Sequence, residues 1–312
     1  MRRRISFKAR FEILRSRRRA KTARTAPQDD ISRVLLKPQK YRVFVWRSYL
    51  SFISLTTDFG LKDGNVGVMK GVIWGIAPKA QIADLSHQIT PQNVPEAALI
   101  LARSAPYFPA GSIHLVVVDP GVGTERRPIA GRLEEHYFVL PDNGVLTIML
   151  ERAEQGQWPV EIVHLDQPQY WLPVVSNVFH GRDIFAPVAG HLAAGVPLGR
   201  LGTPIHDPVR LQLPQPERTR HGLRGEVIHL DHFGNISTNI RREHLDEARS
   251  VTVSLCGVKI RGLRRTFGEN PPGTLIALYG STGNLIISEV NGNAAQRLGA
   301  NTGDPVDVTV EG

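Results

Sequence analysis

The chain has 312 residues, of which 41% are hydrophobic and 21% charged, with a formal net charge of +9. This is the composition of an ordinary globular protein, long enough for two domains with cores of their own. No stretch reaches the roughly 18 consecutive apolar residues of a membrane helix, and the one cysteine excludes an internal disulfide and a cysteine-built zinc site.

The charge is unevenly placed. Residues 1–50 hold 16 Lys and Arg against 3 Asp and Glu, a net of +13. The remaining 262 residues hold 22 against 26, a net of −4. The basic character therefore belongs to an arm that includes Arg2-Arg3-Arg4 and Arg17-Arg18-Arg19. Such an arm reads as a tail for nucleic acid or an anionic surface, as an Arg-rich, acid-poor targeting presequence, or as a plain disordered extension. The expectation is a disordered extension over 1–50. For the body, neither a nucleic-acid nor a membrane partner is expected.

Phe52 to Gly60 reads as a strand and turn, with Asp58 at the break. Asn65 to Ile76 has apolar residues at helical spacing and stops at Pro78. Ile82 to Ser86 is a short strand carrying Asp84, and Val94 to Ser104 a helix. Ile113 to Val118 is a third strand, broken by Asp119-Pro120-Gly121-Val122-Gly123 and followed by Arg126 and Arg127. Tyr137 to Leu140 is a fourth strand, ending at Pro141-Asp142-Asn143-Gly144. Helices are expected over Val145 to Glu154 and Phe185 to Ala194. Alternating strands and helices predict an α/β domain over 51–203. Pro204, Pro208, Pro214 and Pro216 mark a linker over 204–220. Beyond it, short strands (Arg224–Leu230, Val251–Cys256, Thr274–Tyr279, Leu285–Val290, Pro305–Val310) predict a small β-barrel or sandwich over 221–312. Cys256, in one of these runs, reads as a small core residue. A reducing cytoplasm fits that single thiol.

Asp58, Asp84, Asp119 and Asp142 each fall at a strand end. In open α/β sheets the carboxyl edge of the strands is where ligands bind. One such Asp is a turn cap; four on one edge suggest a site for ribose hydroxyls, amines or a metal. No acidic or histidine cluster has convincing metal-ligand spacing, so no metal is expected. Asn177-Val178-Phe179-His180-Gly181-Arg182-Asp183 places a histidine in a glycine loop ahead of a helix, where it can approach a ligand or serve only as a capping segment. Asp231 to Ile240 reads as a polar turn between strands. No P-loop, nucleophile elbow or dinucleotide fingerprint is present.

Taken in order, these motifs resemble a known family. They are Thr57-Asp58-Phe59-Gly60, Asp63 through Val72, Asp84-Leu85-Ser86-His87, Asp119 to Gly123, Pro141 to Gly144, Phe179 to Asp183 and Phe233 to Ile240. The set is similar to the adenosine-forming S-adenosyl-L-methionine (SAM) hydrolases, or SAM hydroxide adenosyltransferases, whose relatives fluorinase and chlorinase use halide. The resemblance spans residues 52–312. It implies an N-terminal α/β sheet domain followed by a small C-terminal β-barrel domain, and a cytoplasmic homotrimer with sites between subunits. By motif position it implies Asp119, Arg126 and His180 as catalytic residues, with Arg127 the adjacent ambiguity. It implies Asp58 at the ribose, and Asp63, Asp231, Asn235 and Ser281 around the methionine end and the adenine. The turn from Asn291 to Ala294 would lie near the adenine. SAM is then the substrate, and no cofactor is implied.

The sulfonium of SAM is already a good leaving group, so the scarce element is an aligned, deprotonated water. Arg126 and His180 could hold it, with Asp119 orienting them; Asp119 as the direct base is the competing assignment. The resemblance also separates water from halide. The halogenases replace this Asp with an uncharged residue and carry a serine where Gly181 stands. Their long insertion is missing here, where about ten residues join Arg127 to Phe138. Two rival readings are a SAM- or adenosine-binding protein without turnover, and a nucleic-acid-associated protein acting through the basic arm.

Overall fold

The computed structural model describes residues 51–245 and 250–311. The basic extension expected over 1–50 lies outside the described residues. The first sheet takes shape from β1 (Phe52–Thr57), α1 (Asn65–Ile76), β2 (Gln81–Ser86), α2 (Val94–Ser104) and β3 (Ile113–Val117). It continues through β4 (Pro128–Leu133), β5 (His136–Pro141), α3 (Thr147–Gly156), β6 (Val160–His164), α4 (Ala186–Ala193) and β7 (Thr203–Pro204). Strand order is β2-β1-β3-β5-β4-β6-β7. β2, β1, β3 and β5 run parallel, whereas β4, β6 and β7 join antiparallel.

Helices cover both faces, and the strands show why. In β3 and the residue after it, Ile113, Leu115 and Val117 pack into one core with α1 and α4. Val116 and Val118 pack into the other with α2 and α3. A continuous apolar run buried on alternate faces is what a central parallel strand requires.

The chain then forms β8 (Glu217–Thr219), β9 (Gly222–Leu230), β10 (Ile236–Arg241), β11 (Ser250–Leu255), β12 (Val258–Arg261), β13 (Leu275–Tyr279), β14 (Asn284–Glu289), α5 (Ala294–Leu298) and β15 (Pro305–Glu311). These make an antiparallel sheet ordered β12-β11-β15-β9-β10-β14-β13, with β8 beside β9. A bridge from Leu263 to Ala277 brings the two ends together, so the sheet is a nearly closed barrel. Closure shields edge strands from unwanted pairing. Among the described residues no helix is long and apolar enough to cross a membrane.

Several elements differ from their sequence expectation. Asp84 lies inside β2, opposite Leu55, and not at the strand end. The stretch read as a polar turn over 231–240 is a turn only to Asn235; Ile236 to Arg241 is a strand with Ile236 and Ile240 fully buried. Cys256 is exposed, at the tip of the β11–β12 hairpin with φ 48°, and not in the core. The proline-rich stretch is strapped down. Val209 N–H donates to Asp142 Oδ1 at 2.8 Å, Leu211 N–H to Thr147 Oγ1 at 2.8 Å, and Ile205 N–H to Ile162 O at 2.9 Å.

Candidate active site

Asp119 lies two residues beyond β3, at the carboxyl edge of the parallel strands. Gly121 and Gly123 turn the chain back so that Arg126 faces it. Arg126 Nε donates to Asp119 Oδ1 at 3.1 Å, and its Nη2 donates to Asp119 Oδ2. Both side chains are buried, at 7% and 5% exposure, so this bidentate pair is well shielded from solvent. Arg126 also stacks on the Phe185 ring, 5.3 Å from its centroid. Gly123 adopts φ 76°, and a Cβ there would stand 2.2 Å from the Asn177 carbonyl oxygen. Only glycine lets this loop close on the segment that carries His180.

His180 stands just before a π-helical turn, Gly181–Phe185, that leads into α4. Asp183, fully buried in that turn, accepts the Ser176 N–H at 2.8 Å and the Arg182 guanidinium. It therefore pins the approach to His180. Arg126 Nη2 donates to His180 Nδ1 at 3.2 Å. Arginine has donors only, so Nδ1 accepts and a neutral ring carries its proton on Nε2. Burial, and next the Arg126 charge, hold His180 below the usual histidine value, against the opposing pull of Asp119 and Asp183. Arg126 Nη1 is buried and has no hydrogen-bond partner. Around Asp119 the cluster thus keeps two unused donors, Arg126 Nη1 and His180 Nε2.

Asp58 follows β1 at the same edge. Its Oδ2 accepts the N–H of Gln92, a non-glycine residue at φ 66°. The Asp58 turn is tied to the chain after β2 through His87. Gly60 N–H donates to His87 O at 2.8 Å, and His87 Nδ1 lies 2.9 Å from Thr57 Oγ1. His87 Nε2 is 3.0 Å from Asp84 Oδ1, close enough for an ion pair though not aligned as a hydrogen bond. Burial pushes the Asp84 carboxyl up, but Lys70 and His87 outweigh it and leave it below the usual range. Phe59 meets Phe179 edge-on at 5.7 Å, joining the Asp58 turn to the His180 segment. Asp63 is exposed in the loop before α1, and its side chain makes no hydrogen bond or ion pair among the described residues.

Asp231, Asn235 and Ser281 line a separate cleft of about 600 Å³, with Arg103 and Tyr107 from the first domain. Asp231 caps its own turn. Oδ1 accepts the N–H groups of Phe233 and Asn235, and Oδ2 accepts Asn235 Nδ2 at 2.7 Å. The Asn293 side chain packs where a Gly234 Cβ would stand, so the turn before α5 sits against this loop.

Residues 53–202 match the SAM hydroxide adenosyltransferase N-terminal domain, and residues 225–307 match the C-terminal domain of the same name. The chain belongs to the SAM hydroxide adenosyltransferase family. It is 39% identical to the (R)-S-adenosyl-L-methionine hydrolase of Salinispora tropica, over 83% of this chain and 97% of that one. To a fluorinase of an Actinoplanes species it is 29% identical, over 63% of this chain and 74% of the other. An uncharacterised conserved protein from Thermotoga maritima has the same fold. Its TM-score is 0.76 and its identity 38%, over 82% of this chain and 99% of its own.

In this family member the two adjacent arginines part company. Arg126 turns inward to Asp119 and His180, whereas Arg127 pairs with Asp142 and Asp207 and fastens the strap beneath β5. The fourth strand-end carboxylate, Asp142, is thereby committed to structure. Sequence reasoning did not single out Thr57, Gln92 or Arg103 as site residues. Thr57 meets the His87 ring and the Phe59 N–H, and Gln92 reaches Asp58 through its backbone N–H; the His87 and Asp58 contacts depend on the fold bringing distant segments together, and Arg103 acquires its setting only from the barrel.

Proposed function

We propose that the protein hydrolyses SAM to adenosine and L-methionine. The carrying observation is the Asp119–Arg126–His180 cluster, which holds two unused donors, Arg126 Nη1 and His180 Nε2, beside a carboxylate. Hydroxide oxygen attacks C5′ of the ribose and the new C–O bond forms. The C5′–S bond breaks, the sulfonium takes its electron pair, and methionine leaves as a neutral thioether. The remaining proton of water goes to solvent. No acid is needed at the leaving group.

Arg126 Nη1 and His180 Nε2 suit the stabilisation of an anionic oxygen. Asp119, already engaged by two guanidinium donors, is suited to holding Arg126 and poorly suited to accepting the proton. Asp58 Oδ1, not used by Gln92, is available to a ribose hydroxyl. The carboxylate at Asp119 and the higher identity to a hydrolase than to a fluorinase both support water over halide.

We assign the complete site to the interface between subunits of a homotrimer. Arg103 and Tyr107 lie where the chain returns to the start of β3, and Asp119 lies beyond its end. The extended residues 113–118 separate the two, spanning roughly 20 Å. Asp231, Asn235 and Ser281 stand with the former. Head-to-tail packing would set one subunit's cleft against the next subunit's Asp119 edge, and such contacts close into rings. The number three follows the family resemblance, and a cytoplasmic location follows the substrate. Reaction in heavy-oxygen water is the direct test: the label should appear in the 5′-hydroxyl of adenosine. Adenosine formed without label would contradict attack by water at C5′.

A further inference from the structure

Arg103 sits in the last turn of α2 and lines the cleft that holds Asp231, Asn235 and Ser281. It is half-buried, and its Nε is sealed from solvent with no hydrogen-bond partner. Among the described residues its guanidinium has no ion pair either. The other half-buried arginines behave differently. Arg126, Arg127 and Arg182 each donate to a carboxylate, and Arg152 donates to the Ala102 carbonyl. Desolvating a cation without a partner is costly. Burial disfavours the Arg103 charge, and the nearby Asp231 carboxylate favours it. The neighbouring cation on the rim, Arg265, is spent on Glu269 at 2.8 Å.

Asp231 has one place left. Its oxygens accept three hydrogen bonds from its own turn, and a carboxylate has about four acceptor positions. The cleft therefore offers one unpaired cation and one open carboxylate position, in a volume of ligand size. An α-amino acid zwitterion presents the complementary pair from a single carbon. We propose that Arg103 binds the α-carboxylate of the amino-acid end of the substrate, the end at which the family resemblance sets Asp231. This rests on the SAM reading of the site. It makes Arg103 a specificity residue: a guanidinium with planar, paired donors for a carboxylate. Ligands lacking that carboxylate leave it unpaired and are rejected.

The test compares SAM with decarboxylated SAM, which lacks only the α-carboxylate, on the full chain. Adenosine release gives kcat/KM, and calorimetry gives binding whether or not turnover occurs. The wild-type protein should favour SAM by about 100-fold in kcat/KM and in affinity. Arg103→Met should lose most of that preference through SAM alone, and decarboxylated SAM should change by no more than about twofold. Arg103→Lys should restore part of the preference. Equal losses on both ligands would reduce Arg103 to a structural role, and no loss on either would remove it from the site. If SAM binds with an Arg103-dependent preference and no adenosine forms, the inference stands and the hydrolase reading falls. If the wild-type protein binds neither ligand, both fall.

Discussion

Arg126 contributes geometry as well as charge. Its fork grips both oxygens of Asp119 and still reaches His180 from one terminal nitrogen. A lysine has the charge but not the fork. Arg126→Lys should lower kcat by about 100- to 1,000-fold and barely move the melting temperature, as steady-state kinetics and calorimetry would show. His180 carries a second expectation. Its native value is depressed from 6.5, so the neutral ring persists as pH falls through that value. The acid limb of kcat/KM should therefore lie below pH 6.5, and it should be absent from the residual rate of His180→Gln. A limb above that value, lost in His180→Gln, would contradict the depression of His180. Asp119 with Arg126, and His180, stand out in sequence as candidates because Gly or Pro breaks the strand or helix end at each, but only the family resemblance joins the three as one proposed catalytic set. The choice of Arg126 over Arg127 is not legible there: it depends on which side of the turn each falls, and Asp142 and Asp207 decide it by capturing the second arginine.

At the scale of elements, the Asp119–Arg126 loop and the segment before α4 meet at one glycine. Gly123→Ala would drive a methyl into the Asn177 carbonyl and oppose a left-handed backbone. It should cost about 1–3 kcal/mol of stability and separate Arg126 from His180, with activity falling at least tenfold in parallel assays of both. On β3, His114 is fully buried between Ser54 and His136, with its Nδ1 2.6 Å from the Ser54 hydroxyl. Burial, and next the His136 charge, push it from 6.5 down to about 3. Above 6.5 it is neutral folded or unfolded. As pH falls from there, the unfolded chain takes a proton that the native state refuses, so stability declines until about pH 3. The full effect is about 5 kcal/mol. Denaturation across that range should show a flatter pH slope in His114→Phe. Helices α1 and α2 are readable from their apolar spacing and flanking prolines. β4, β6 and β10 are not. β4 contains Gly131 and Arg132, β6 begins Val-Glu, and β10 is Ser- and Thr-rich, so pairing partners and not local pattern set them.

The described residues form a three-layer α/β unit followed by a nearly closed barrel, and the two proposed sets of site residues lie toward opposite ends of β3. Strand–helix alternation and the spacing of short strands make that architecture legible. The distance between the Asp119 edge and the Asp231 cleft is not, because it depends on where the barrel docks beside α2. This separation underlies the proposed head-to-tail assembly, in which no single chain completes a site. The most direct test of the central claim is product analysis of purified protein given SAM in chloride buffer, beside Asp119→Ala and His180→Ala. Adenosine and methionine should appear in equal amounts, with both variants slower by orders of magnitude. Formation of 5′-chloro-5′-deoxyadenosine, or unchanged rates in both variants, would contradict the account.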